Sequence, residues 1–460
     1  MPSLAVFAVL ALALATVLSR EFALGAILVS SLLMLSVTSW LGLPVQAALL
    51  TKALVGLFAL TVVLDLGPGN PLRVPWSLMM LSAVLVVSAV FGAGNRFLAF
   101  QALAAYLVAP VAYVAIVHSN ITTGSLRRLA LVVAAIMIVQ LPIVMIQARF
   151  IANVDRIGGT FSAAGGTSIQ AVVMGVVWTI AVALLFGRRR AWLLPVGLAI
   201  AAVLMISQAK AGFLFAALGT AAVGLAEAIA IPKRGAHVLP LYGALSAAAV
   251  AALFGAYLYF GRLLPGGQAA SGYWTAWLSN PMAIRDYLFS YGSGGQAGRL
   301  EGVRLALSRS GAIANLLIGQ GLGVLSTSAL LGQNVTSSSA YGTSFDWATS
   351  ATRWLLEVGV MGTLLYIVAI GAAVGAVVKS WARRADELGV AIAAAAVGSA
   401  AIYVAAALYA APWNWDAIAV PFWCLLGMAV KWGRLRDAAP ETEQGPAHTT
   451  FRRAGAEGDS

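Results

Sequence analysis

"SATRWLLEVGVMGTLLYIVAIGAAVGAVV", Ser350 to Val378, is the stretch on which the fold turns. From Val358 to Val378 it carries no charged residue. As a helix rising about 1.5 Å per residue, that uncharged part is about 30 Å long, the thickness of a bilayer's hydrocarbon core. The whole run is longer than one crossing needs, an excess that tilting or protrusion accommodates. It ends directly in "KSWARR", Lys379 to Arg384, a basic cluster of the kind that stays on the cytoplasmic side.

The same pattern repeats along the chain. Candidate spans centre near residues 3–18, 22–40, 46–64, 75–92, 97–117, 128–148, 168–187, 191–208, 212–231, 239–260, 350–378, 387–410 and 414–432. Of the 460 residues 61% are hydrophobic and 10% are charged, against about 25% charged in a soluble domain. Abundant glycine and alanine suit close helix packing in lipid. The expected fold is therefore an all-α polytopic membrane protein, with about 12–14 transmembrane helices and one long, partly helical loop. The expected organisation is ten helices in 1–262, the loop in 263–347, further helices in 348–433, and a disordered cytoplasmic tail in 434–460. The opening "MPSLAVFAVLALALATVLSR" has the length of a signal sequence. It lacks a basic start, and is read as a retained first span. The one cysteine, Cys424, lies in an apolar run and reads as a packed core residue.

Orientation follows from the short basic loops. Arg127 and Arg128, Arg188 to Arg190, Lys233 and Arg234, Lys379 to Arg384, and the end carrying Lys431, Arg434 and Arg436 fall on one side when the spans are counted through. They account for much of the net charge of +12. Basic residues scattered in short loops do not form a nucleic-acid surface. Three regions then lie outside. These are the loop Arg149 to Ser168 with "RIGGTFSAAGG", the turn "SQAKAG" from Ser207 to Gly212, and the long segment 263–347. That segment opens with the Trp- and Tyr-rich "GYWTAWLSNPMAIRDYLFSYG", suited to an interface or to stacking on sugars. Its "RLEGVRLALSRSGAIANLL" spaces Leu300, Val303 and Leu307 at helical intervals.

The outer regions hold Arg149, Arg156, Lys210, Arg262, Arg285, Arg299, Arg304, Arg309 and Arg353, nine cations. Against them stand the five acids Asp155, Asp286, Glu301, Asp346 and Glu357. An excess of cations on this side calls for an anion, and a lipid pyrophosphate at the surface is one. Arginine suits it, because its planar fork meets phosphate oxygens bidentately. Arg156 is followed by Gly158 and Gly159, whose backbone can approach a ligand and offer N–H groups. Structural pairing is the competing expectation for Arg353 with Glu357, four apart, and for Glu301 with Arg304, three apart. "GQGLG", Gly319 to Gly323, follows no strand of a βαβ unit and is not a dinucleotide loop. His118, His237 and His448 are far apart and form no metal cluster, and no cofactor is expected.

On these residues the chain resembles the O-antigen polymerase and O-antigen ligase superfamily of bacterial envelope glycosyltransferases, over roughly residues 100–380. "RIGGTF" looks like the family's arginine-glycine-threonine-phenylalanine loop after a span ending in Gln, here Gln147. "SQAKAGFLFAALG" looks like its serine-arginine turn, with Lys210 where arginine is usual. "GRLEGVRLALSRSGAIANLLIGQGLG" is similar to its long-loop segment, with Arg299 in the arginine's place. "RWLLEVGVMGTLLY" looks like the helix that closes the loop, with Glu357, Gly359 and Gly362 in matching positions. Ligases carry a histidine about nine residues before the glutamate. Here "WATSATRWLLE" has none, and Ala348 sits near its place, which argues for a polymerase.

The resemblance implies a multi-pass protein of the bacterial inner membrane whose active site faces the periplasm. It implies undecaprenyl-pyrophosphate-linked glycans as donor and acceptor, membrane lipids around them, and a chain-length regulator as a possible partner. Arg156 and Arg299 would hold the pyrophosphate without a metal, aided by Arg149, Lys210, Arg304, Arg353, Gly158 and Gly159. Asp346 or Glu357 would take the acceptor proton, and both share a helix face with Arg353 if that helix begins by Asp346. A ligase, or a carrier of the same lipid-linked sugar, is the alternative. Against a carrier, Glu227 is expected near a cytoplasmic end, and Glu357 and Asp416 near outer ends, of their spans.

Overall fold

The computed structural model describes residues 15–40, 49–66, 72–92, 95–150, 159–160, 210–231, 280–290, 298–309, 311–325, 327–328, 335–336, 348–381, 387–409 and 416–437, with isolated positions between 240 and 255. The expected spans at 168–187, 191–208 and 239–260, and residues Arg156, Gly158 and Asp346, lie outside this set, apart from those isolated positions.

The described chain is helical almost throughout. Its long helices are α1 (Arg20–Trp40), α2 (Leu50–Asp65), α3 (Trp76–Phe91), α4 (Arg96–His118), α5 (Thr123–Phe150) and α6 (Lys210–Ala230). Shorter helices α7 (Pro281–Phe289), α8 (Arg299–Arg309) and α9 (Ile313–Ile318) follow. A two-residue antiparallel ladder, β1 (Thr327–Ser328) with β2 (Val335–Thr336), precedes α10 (Ser350–Trp381), α11 (Glu387–Ala406) and α12 (Asp416–Asp437). Four segments among the described residues are long and apolar enough to cross a membrane: Arg96–His118, Ser350–Trp381, Gly389–Ala406 and Asp416–Leu435. The described residues, helical but for that short ladder, are those of a multi-pass membrane protein of the all-α class.

The core lies where α4, α10, α11 and α12 meet, and it is built on aromatic rings whose polar tips are paired. Trp423 Nε1 donates to Tyr366 Oη at 3.1 Å, and the Tyr366 and Tyr403 hydroxyls are 3.0 Å apart. Phe422 stacks on Tyr403 at 4.3 Å between centroids, and Trp354 meets Tyr366 edge-on at 4.0 Å. Such rings bring large apolar area, and pairing their O–H and N–H tips avoids the cost of burying them unbonded. Ala393, Ala394 and Ala396 of α11 are buried beside them, small residues that let the helices approach.

Contacts between helix termini define two ends of the bundle. At one end Arg20 pairs with Asp65, Arg128 pairs with Glu21 at 2.7 Å, and the Arg73 N–H donates to His118 Nε2 at 3.3 Å. At the other end Lys52 pairs with Asp416 at 2.7 Å, and the Ala351 N–H donates to the Ala407 carbonyl at 2.9 Å. Successive helices α1 to α5 therefore alternate in direction, as do α10, α11 and α12.

The long span expected at 350–378 is not one straight rod. Gly359 has φ 66° and ψ −171°, and splits α10 into two helices. The length in excess of one crossing is thus absorbed by a kink rather than by tilt alone. The helix starts at Ser350, so the condition on which Asp346 was to share its face, that it begin by Asp346, is not met; Asp346 itself lies outside the described residues.

Candidate functional site

The kink at Gly359 interrupts the hydrogen-bond ladder of α10 and leaves carbonyls without helical donors. Two other segments supply them. Gln320 N–H donates to the Leu356 carbonyl at 2.7 Å, and Gly321 N–H donates to the Glu357 carbonyl at 3.2 Å. Ser88 Oγ of α3 donates to the same Glu357 carbonyl at 2.7 Å, while the Ser88 carbonyl accepts from Leu322 N–H at 3.3 Å. The glycine-rich turn after α9 is therefore inserted between α3, α4 and α10.

That insertion depends on missing side chains. A Cβ on Gly359 would stand 2.4 Å from the Leu317 carbonyl oxygen, and one on Gly319, at φ 80°, would stand 2.4 Å from the Glu357 backbone. Both need a positive φ and a bare Cα at once. "GQGLG" is thus a packing device that lets three backbones meet.

Glu357 lies at the centre of this junction. It is seven residues into α10, about 10 Å from the helix start, and is fully buried. Tyr106 Oη of α4 donates to Glu357 Oε2 at 2.9 Å, and Leu325 N–H donates to Oε1 at 3.4 Å. The sequence reading put Glu357 near the end of its span and weighed an ion pair with Arg353; Glu357 is near the start of α10, but its carboxyl oxygens are held by Tyr106 and Leu325 and not by Arg353. Arg353 Nη1 instead donates to the Leu325 carbonyl at 3.3 Å. Leu325 thus uses its N–H on Glu357 and its carbonyl on Arg353. The carboxyl group, fully buried, ties α4, α10 and the turn at Leu325 together.

Arg299 opens α8, and its guanidinium lies 5.4 Å from the centroid of the Tyr409 ring. Tyr409 follows α11 and also meets Phe215 of α6 edge-on at 6.2 Å. Phe215 is little more than one turn from Lys210, the first residue of α6. Gly302 of α8 packs on Thr352, its Cβ position 3.0 Å from Thr352 Oγ1, one residue before Arg353. The starts of α6, α8 and α10 are therefore gathered around the end of α11. Each start carries a cation expected from the sequence, and each presents the positive pole of a helix dipole. Tyr409 and Ala407, which organise this meeting, were not singled out in the sequence. The signal was present only as an aromatic residue just past an apolar span.

The remaining expected residues fall as follows. Arg304 and Glu301 form the structural pair anticipated, with Arg304 Nε and Nη2 at 2.7 and 2.5 Å from the two carboxylate oxygens. Arg149 is exposed in the last turn of α5. Gly159 was expected to offer its N–H to a ligand. That N–H instead donates to Gln147 Oε1 at 2.8 Å, and the Gly159 carbonyl accepts from Gln147 Nε2 at 2.9 Å. Gln147, which the sequence showed only as the end of a span, is therefore a clamp on the glycine loop. No protein-family model and no curated protein matches this chain.

Proposed function

We propose that the protein is a polymerase of lipid-linked oligosaccharide repeats, working at the end of the bundle where α6, α8 and α10 begin. The observation that carries the reading is the gathering of Arg299, the start of the Lys210 helix and Arg353's helix around Tyr409 and Ala407. Cations and helix N-termini brought together from distant parts of a chain suit a diphosphate at the membrane surface. The end of the bundle with Arg20, Arg128 and His118 is then the cytoplasmic one, and the site faces the periplasm of a bacterial inner membrane.

In this reading the donor is a glycan on undecaprenyl pyrophosphate. A hydroxyl of the acceptor glycan attacks the anomeric carbon of the donor sugar, and the bond to the pyrophosphate oxygen breaks. The leaving group gains negative charge, which fixed cations stabilise in the transition state. Arg299 and Arg156 hold the pyrophosphate, with Lys210 and Arg353 beside them. The acceptor proton passes to Asp346 or to solvent, since Glu357 is enclosed.

Purified protein given the lipid-linked repeat decides the matter. A ladder of products is the expected result. A single transfer to a lipid A core marks a ligase, and no new glycosidic bond marks a carrier or scaffold. Arg299→Ala and Arg156→Ala, inserted normally, should abolish elongation, and full activity in both removes the assignment.

A further inference from the structure

After α5 the chain comes back into the bundle at Gly159 and Thr160, both buried. Thr160 N–H donates to Gln140 Oε1 at 2.9 Å, and Gln140 Nε2 donates to Thr160 Oγ1 at 2.8 Å. The Thr160 hydroxyl passes its own hydrogen to the Leu32 carbonyl of α1 at 3.3 Å. One residue earlier, Gln147 grips both polar groups of Gly159. Gln140 and Gln147 are seven apart on α5, two turns along one face. Their amides hold the peptide groups of adjacent residues as a strand edge would.

The depth of this turn can be read along two helices. Arg128 of α5 and Glu21 of α1 pair at one end of the bundle. Gln140 is twelve residues from Arg128, and Leu32 eleven from Glu21. At 1.5 Å per residue both lie about 17 Å from that pair, and Gln147 lies about 28 Å from it, against a hydrocarbon core about 30 Å thick. Thr160, 5% exposed, and Gly159, buried with φ 62°, thus form a non-helical turn in the half of the core farther from that pair. Irregular backbone at that depth survives only where protein satisfies its N–H and C=O groups. The two glutamines satisfy both peptide groups of Gly159 and the N–H of Thr160.

We propose that Gly159–Thr160 is a turn held inside the bundle by Gln140 and Gln147, which act as positioning residues for the chain that follows α5. Arg156 stands three residues before Gly159, within about 11 Å of it along the chain, so a turn held in place limits how far that cation can stray. That its cation serves a lipid-borne diphosphate rests on the polymerase reading. The placement of the turn does not.

The test separates the two. In a Cys424→Ala background, Thr160→Cys and, as an accessible reference, Met282→Cys, 53% exposed, are treated in proteoliposomes with a membrane-impermeant maleimide. Met282→Cys should react and Thr160→Cys should not, until Gln140→Leu and Gln147→Leu are added. Equal labelling of both cysteines without those additions overturns the placement. If the double variant does not insert, Gln147→Glu serves. It accepts from Gly159 N–H but cannot donate to the Gly159 carbonyl, and should give intermediate labelling. On the lipid-linked repeat, Gln147→Leu should lower kcat at least tenfold with little change in KM, and Gln147→Glu should recover part of it. Unchanged kcat in a variant whose turn has become labelled overturns the positioning role. Full activity of Arg156→Ala strikes the polymerase assignment of that arginine and leaves the labelling result standing.

Discussion

Tyr106 Oη stands 2.9 Å from Glu357 Oε2, although the two residues lie 251 positions apart. The bond joins α4 to α10 in the interior of the bundle, and the carboxylate's second oxygen takes Leu325 N–H. Removing the acceptor strands two buried donors at once, and each unsatisfied group costs about 1–3 kcal/mol. Glu357→Ala should therefore lower Tm in detergent clearly more than Glu357→Gln, which keeps one acceptor oxygen. Tyr106→Phe should fall between Glu357→Gln and Glu357→Ala. Equal Tm for all three variants and the parent chain would mean that the carboxylate does not anchor the turn.

The glycines of α10 offer a comparison within one helix. Gly359 has a positive φ, and a Cβ there meets the Leu317 carbonyl oxygen at 2.4 Å, whereas Gly371 has nothing within 4 Å. Gly371→Ala should be neutral or stabilise by up to about 1 kcal/mol, the helix-propensity difference. Gly359→Ala should straighten the helix or expel the 319–325 turn, with loss of folded protein in size-exclusion chromatography. A Gly359→Ala chain as monodisperse as Gly371→Ala would show that the kink is not required.

The helices were largely legible because lipid forces every span to be long, apolar and self-bonded. The expected span at 97–117 is the helix Arg96–His118, and the one at 387–410 is Glu387–Ala406. The kink at Gly359 was not legible. An apolar stretch with glycines reads the same whether its carbonyls are paired along the helix or with Gln320, Gly321 and Ser88. The site divided the same way. Charge excess pointed to Arg299 and Arg353, whose elements do come together at one end. Hydropathy could not show that Glu357 faces Tyr106, nor that Gln140 and Gln147 hold Gly159 and Thr160, because polar partners from distant segments leave no local pattern.

Arg353 gives a prediction from geometry. Its Nη1 holds the Leu325 carbonyl at 3.3 Å, and its Nε is buried with no hydrogen-bond partner among the described residues. Lysine can keep one bond but not a planar fork. Arg353→Lys should fold normally, as judged by Tm, and elongate the lipid-linked glycan more slowly, with KM for the donor raised severalfold. Unchanged KM would confine Arg353 to fixing the turn through Leu325.

The stacking of Arg299 on Tyr409 makes the last prediction the most selective. The guanidinium lies 5.4 Å from the ring centroid, and the same ring meets Phe215 of the Lys210 helix edge-on. A cation–π contact of this kind is worth about 0.5–2 kcal/mol, and it depends on the ring rather than on the hydroxyl. Tyr409→Phe should therefore retain elongation near the parent rate. Tyr409→Leu keeps apolar bulk but removes the π face, and should slow elongation by roughly 2- to 30-fold, the same energy expressed as a rate. In an Arg299→Ala background, already without the cation, Tyr409→Leu should add little to the loss of donor affinity, because the two changes remove one interaction. If the effects of Tyr409→Leu and Arg299→Ala on donor affinity instead multiply, Tyr409 acts on the site by some route other than Arg299. If Tyr409→Phe is as slow as Tyr409→Leu, it is the hydroxyl that matters, and the stacking is incidental to holding the guanidinium where α6, α8 and α10 begin.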